Sequence, residues 1–382
     1  MTYARQRLWL GITAVGSTVL VAMAAVAFDL PHRLIPPLAD QTFNSALSAI
    51  ALVWMAEAAL LIPFDLIGGL LVVRERPPLL RWLASWLRAI LVQWIWFALS
   101  TALLLRTGQQ FGTTYALIVF LLLQLVLTSR QGLIAWLAGG VRLRDVSPQL
   151  AAAATAVGIE ARAVREVDGD DPSFSGGWVG ADARELWVPQ RWVRELSKEQ
   201  LTIALARRVG VRALGLRRRG LLAAVAWNSI GFALATSMPH ADLVTAAGFV
   251  TVIAWFTIVS FIGVLVLPSL SRPAVLAADR WARSSHDGAA VASTITQLDQ
   301  WQDDEADRSA AVESIFHPVP SRNVRLRALE DARPTDTVAV AAGAWHATRL
   351  MLYLSWAGVG GLARAVHCNV GRPSLWVLFP GD

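Results

Sequence analysis

A chain of 382 residues that is 55% hydrophobic, with 17 tryptophans and a mean hydropathy of +0.48, is too apolar for an ordinary soluble globular protein. Its formal charge of +6 comes almost wholly from arginine, Lys198 being the only lysine, and the arginines lie between apolar runs. That pattern suits the cytoplasmic flanks of membrane helices and argues against a nucleic-acid groove, while the lone Cys368 excludes an internal disulfide framework and a cysteine-type zinc site.

Apolar runs of bilayer-spanning length occur at Leu8 to Phe28, Ala46 to Val73, Ala89 to Leu105, Phe111 to Thr128, Leu221 to Ser237 and Leu243 to Leu267, so six spans are expected. The first exceeds the usual apolar core of a signal peptide and reads as a retained anchor. Arginines flank alternate ends: Arg5 and Arg7; Arg74, Arg76, Arg81 and Arg88; Arg130, Arg142 and Arg144; Arg217, Arg218, Arg219 and Arg272. The other side carries only Arg33 and Arg106, which places both termini and the long polar segments in the cytoplasm. The near absence of lysine suits a GC-rich bacterial genome and hence a bacterial inner membrane.

A polar block follows the fourth run. Ser147-Pro148 reads as a helix start, ARAVREV (161–167) and ELWV (185–188) as short strands, and DGDDPSFSGGWVG between them as a loop. Ser197 to Gln200 forms a capping box that opens a helix through LTIALARRVG to about Gly215. A second polar block, roughly 271–340, contains the acidic run QWQDDEADR, expected in a solvated loop or helix face. The tail from Ala341 to Asp382 is apolar again, but Leu350 to Ala363 is only 14 residues long and suits an interfacial or packing helix better than a span.

The strand ELWVP, the Ser197 cap, LTIALARRVG, the apolar hairpin Leu221 to Leu267, SRPAVLAAD (271–279) and HPVPSR (317–322) come in a telling order. Together they resemble the integral-membrane zinc metallopeptidases of the HtpX and CAAX prenyl protease type. That resemblance implies a mainly α membrane protein with a cytoplasmic α+β zincin-like domain. Its segments would be a membrane domain at 1–140, domain halves at 141–219 and 269–340 around a hairpin at 220–268, and a C-terminal segment at 341–382. The family helix carries H-E-x-x-H, whose two histidines hold zinc and whose glutamate serves as general base. Here Arg207 stands at the first histidine, Arg208 at the glutamate, Val211 at the second histidine and Val275 at the third ligand, while Ala278, Asp279, His317, Pro318 and Arg322 match retained motif positions. Arginine is cationic and valine has no donor atom, so no metal, no cofactor and no catalytic residue of the family kind are expected.

His286, His317, His346, His367 and Cys368 lie in cytoplasmic segments, but none pair at ligand spacing. Arg207 or Arg208 either pairs with Asp279 in place of a metal crosslink or faces solvent and lipid phosphate. Glu57 and Asp65, on nearly the same helical face, either mark a polar pathway or sit at a kink near Pro63 and Gly68-Gly69, with Glu57 bonded to Gln93 or Gln124. Three functions remain open: a pseudoprotease acting as adaptor, scaffold or regulator, a peptidase with a rebuilt active site, and a lipid-binding or carrier protein. The expected partners are membrane lipids and other membrane proteins or peptide segments, with no nucleic acid.

Overall fold

The computed structural model describes residues 2–37, 42–169, 174–302, 304–331 and 343–372. In chain order the helices begin with α1 Tyr3–Ala27, α2 Leu30–Leu34 and α3 Phe43–Leu66, which runs into a π-helical turn at Ile67–Leu71. Next come α4 Leu79–Phe111, α5 Thr113–Ser129 and α6 Gln131–Gly139. A mixed segment contains β1 Arg142–Arg144, α7 Pro148–Ala156, β2 Val164–Asp168, β3 Gly177–Val179, β4 Glu185–Pro189 and α8 Gln190–Glu195. Then follow α9 Lys198–Ala213, α10 Leu216–Thr236, α11 Ala246–Val266, α12 Pro268–Arg283 and α13 Gly288–Trp301. The last are α14 Ala310–Phe316, α15 Arg322–Glu330, α16 Ala347–Leu354 and α17 Leu362–Ala365.

The chain is a mainly helical membrane protein. Four helical stretches are long and apolar enough to cross a bilayer: Tyr3–Ala27, Phe43–Leu71, Leu79–Phe111 and Ala246–Arg283. A fifth results if Thr113–Ser129 and Gln131–Gly139 count as one broken span. The count falls short of six because α10, read from sequence as a span, opens on Arg217, Arg218 and Arg219 and carries Asn228 in its middle. On α4 the surface is inverted relative to a soluble helix. Leu87, Leu91, Ile95, Leu99 and Leu103, one per turn, are each at least half exposed, while Gln93, Ser100 and Thr101 are buried. Apolar groups facing outward with polar groups inward is the order a lipid solvent imposes.

Two compact units divide the residues. Among the described residues, the first takes those of 2–129, Val225–Gly263 and 351–372. Its interior holds an aromatic cluster in which Phe120 stacks on Phe232 at 4.2 Å and Phe256 meets both edge-on. The tail from Met351 to Ala365 is buried here. The Tyr353 hydroxyl donates to the Leu127 carbonyl at 2.8 Å, Asn228 Nδ2 donates to the Met351 carbonyl at 2.9 Å, and Phe97 lies edge-on to Trp356.

Among the described residues, the second unit takes Arg130–Ala224 and Val264–Leu350. Its sheet has the order β1-β2-β4-β3, with β2 and β4 parallel and the outer pairs antiparallel. The segment GWV, expected in a loop, is edge strand β3, and the expected strand at 161 starts only at Val164 after a 3-10 turn. Leu186, Val188, Trp178 and Val164 project from the sheet into one core with Leu201, Ala204, Leu205 and Val211 of α9 and Ala274, Val275, Ala277 and Ala278 of α12. The capping signals act as the sequence suggests. Ser147 Oγ accepts from Leu150 N, and Ser197 and Gln200 cap one another's amides at 3.1 Å, which fixes where α9 begins.

Candidate functional site

Helix α9 packs on α12 in the second unit, and their contact brings the motif positions together. Capped at Ser197, α9 directs Leu201, Ala204, Leu205, Arg207, Arg208 and Val211 inward. From α12 come Ala274, Val275, Ala278 and Asp279, all buried. Val211 and Val275, at two expected ligand positions, pack in the apolar core.

Arg207 is fully buried, and its Nε donates to Asp279 Oδ1 at 2.6 Å. From α15, Arg325 donates through Nε to Asp279 Oδ2 at 2.8 Å and through Nη2 to Oδ1 at 2.9 Å, a forked arrangement that fits the planar guanidinium. One carboxylate thus ties three helices. Arg208, 2% exposed, donates to the Ser175 carbonyl at 2.8 Å and lies over the rings of Trp192 and Trp345 at 5.6 and 5.7 Å. Trp178 Nε1 donates to the Arg208 carbonyl at 2.7 Å and so anchors this part of α9 to β3.

Two guanidiniums share one carboxylate, Arg208 lies close by, and burial works against Arg207 and Arg208 alike. Burial lowers Arg207 to about 10, with Asp279 opposing the shift and Arg325 adding to it. Burial and then repulsion from Arg207, Arg325 and Arg349 push Arg208 well below its usual value. The His346 imidazole, set against the Trp345 ring at 4.6 Å, is likewise driven well below the usual histidine range by burial and by Arg349, Arg208, Arg217 and Arg207.

At neutral pH Arg207 is cationic, Val211 and Val275 offer no lone pair, and both Asp279 oxygens are taken by guanidinium donors. Among the described residues, neither His286, His317 nor His346 belongs to a set of three or more metal-type donors. His286 Nδ1 contacts the Ala282 carbonyl at the end of α12, and His317 is buried next to Pro318.

Arg322, expected as a retained motif position, reaches Asp299 at 3.4 Å, and Arg325, one turn further along α15, engages Asp279. A helical reading carried past HPVPSR would have exposed Arg325 as a second candidate. Ser175, Trp178 and Trp345 left no comparable signal, because their contacts depend on strand pairing and on chain return.

Asp65 and Glu57, in the first unit, have different surroundings. Asp65 is buried and accepts from Arg364 Nη2 at 2.7 Å, Trp86 Nε1 at 2.9 Å and the Gly371 amide at 3.0 Å. Nearby, Arg7 donates to the carbonyls of Gly68, His367 and Val370 at 2.6 to 2.8 Å. Close approach of Gly68 and Gly69 makes room: a Cβ on Gly69 would lie 2.1 Å from Trp82 Nε1. Glu57 is set against Gly361, not against either expected glutamine, and Gln124 donates to Ser229 at 3.0 Å.

No protein-family model matches the sequence, and no curated protein matches it. The structure is similar to the crystal structure of S. mikatae Ste24p, with a TM-score of 0.65 and 13% identity over 76% of this chain and 77% of that one. The chain has the fold of Ste24p. At that identity the likeness carries fold alone, and it falls on the CAAX prenyl protease kind of membrane zinc metallopeptidase that the sequence resembles.

Proposed function

We propose that this chain is a membrane-embedded pseudoprotease: an HtpX-like scaffold whose zinc site is replaced by an ion cluster, acting as an adaptor, scaffold or regulator in membrane protein handling. The observation that carries the proposal is Asp279 bound by Arg207 and Arg325, at helix positions where the resemblance puts the metal machinery. A metal crosslink holds helices together through one shared cation, and here one shared anion does the same with cationic side chains. Six spans with cytoplasmic termini and a cytoplasmic polar unit, in a bacterial inner membrane, remain the topology that the arginine distribution favours.

The carrier alternative loses support because Asp65 is committed to Arg364, Trp86 and the Gly371 amide. The rebuilt-enzyme alternative has no donor set in the second unit to stand on, among the described residues. The test is casein cleavage by the purified protein with added zinc and with a chelator. No chelator-sensitive cleavage is expected, and crosslinking in intact membranes is expected to capture membrane polypeptides. Chelator-sensitive cleavage would overturn the pseudoprotease reading, and an absence of crosslinked polypeptides would overturn the adaptor role.

A further inference from the structure

Asp29, His32 and His240 meet at an exposed corner of the first unit, although His240 is far from the other two in sequence. Asp29 ends the turn after α1 with φ 50, and His240 sits in the loop between α10 and α11 with φ 59. Both occupy the left-handed region, which non-glycine residues adopt only at a cost. Asp29 is the residue preceding α2, yet its side chain makes no capping hydrogen bond. Its Oδ1 lies 2.8 Å from His32 Nδ1 and its Oδ2 lies 3.9 Å from His240 Nδ1. The two imidazoles lie beside one another with ring centres 5.8 Å apart.

One donor atom from each residue falls within 4.8 Å of the others, and this is the one such group among the described residues. We propose that Asp29, His32 and His240 form a binding site for a zinc-class divalent metal ion that joins the α1–α2 corner to the α10–α11 loop. Two imidazole nitrogens and one carboxylate suit zinc and its neighbours, whereas calcium and magnesium prefer all-oxygen sets. Bonds of about 2.0–2.1 Å require donors about 3.4 Å apart, which these side chains reach by rotating their tips. With exposures of 31%, 33% and 62% for Asp29, His32 and His240, the tips are free to do so and the remaining coordination positions stay open to water.

The site shares no residue with the Arg207–Asp279–Arg325 cluster, so it stands or falls separately from the proposed function. The test is zinc titration by calorimetry of the full-length, detergent-purified, chelator-stripped protein. One equivalent is expected to bind saturably. His32→Ala and His240→Ala should each weaken binding at least about tenfold, and His317→Ala should leave it unchanged. Zinc should also raise the melting temperature of the wild-type protein but not of His240→Ala. No saturable binding by the wild type, or undiminished binding by both His32→Ala and His240→Ala, would overturn the assignment.

Discussion

Asp279 accepts from Arg207 at 2.6 Å and from the forked Arg325 at 2.8 and 2.9 Å, with all three side chains buried. Asp279→Ala would leave these cations facing one another without their shared anion. A loss of about 3–5 kcal/mol is expected, the range for breaking a buried pair from one side. Arg322→Ala, which removes only a single 3.4 Å contact with Asp299, should cost less. Thermal or denaturant unfolding in detergent ranks the variants, and equal effects would contradict the assigned pairing.

Removing the whole cluster has a different expected outcome. Burial, the largest cause acting on Arg207, works against its charged form, and replacing a buried ion pair with apolar side chains of similar volume is often neutral or stabilising. The combined variant Arg207→Met, Asp279→Leu, Arg325→Met should therefore be neutral or up to about 1–4 kcal/mol more stable than the wild type. A loss comparable to that of Asp279→Ala alone would show that the ion cluster is a net stabiliser.

How much of this was legible in the sequence depended on how local the signal was. The Ser197–Gln200 capping box set the start of α9, and the positions of Arg207, Arg208 and Asp279 could be read against a resembled motif. Strand β3 escaped because its three residues lie in a Gly- and Ser-rich stretch and are ordered by antiparallel pairing with β4. Arg325 and Arg364 escaped for a related reason. Each partner is set by tertiary packing, with Arg364 reaching Asp65 from the other end of the chain. Six apolar runs stand in the sequence, and four helical stretches, or five with the broken pair, are long and apolar enough to cross a bilayer, because α10 opens on three arginines.

The Asp65–Arg364 pair links α3 to the C-terminal segment inside the first unit, where both side chains are nearly inaccessible. Asp65→Ala and Arg364→Ala should each cost about 3–5 kcal/mol, and the double variant should cost less than their sum because neither charge is then left alone. A double-mutant cycle measures this, and strict additivity would contradict the pair.

Acid should weaken the second unit through His346. Its folded-state pKa lies well below the usual 6.5, so the imidazole is neutral when folded and charges only at a cost. A depressed folded pKa gives stability that is present above the unfolded value and lost as pH falls through the folded one. Melting temperature should thus decline below about pH 6.5, and His346→Gln should flatten that decline. An unchanged pH profile in His346→Gln would contradict this account.

The most direct test of the central claim is zinc content per chain in a His32→Ala/His240→Ala variant, purified in detergent and measured by mass spectrometry. With the exposed corner disabled, the account predicts less than about a tenth of an equivalent, because Arg207, Arg208, Val211 and Val275 offer no donor to a metal. Near one equivalent in that variant would contradict it.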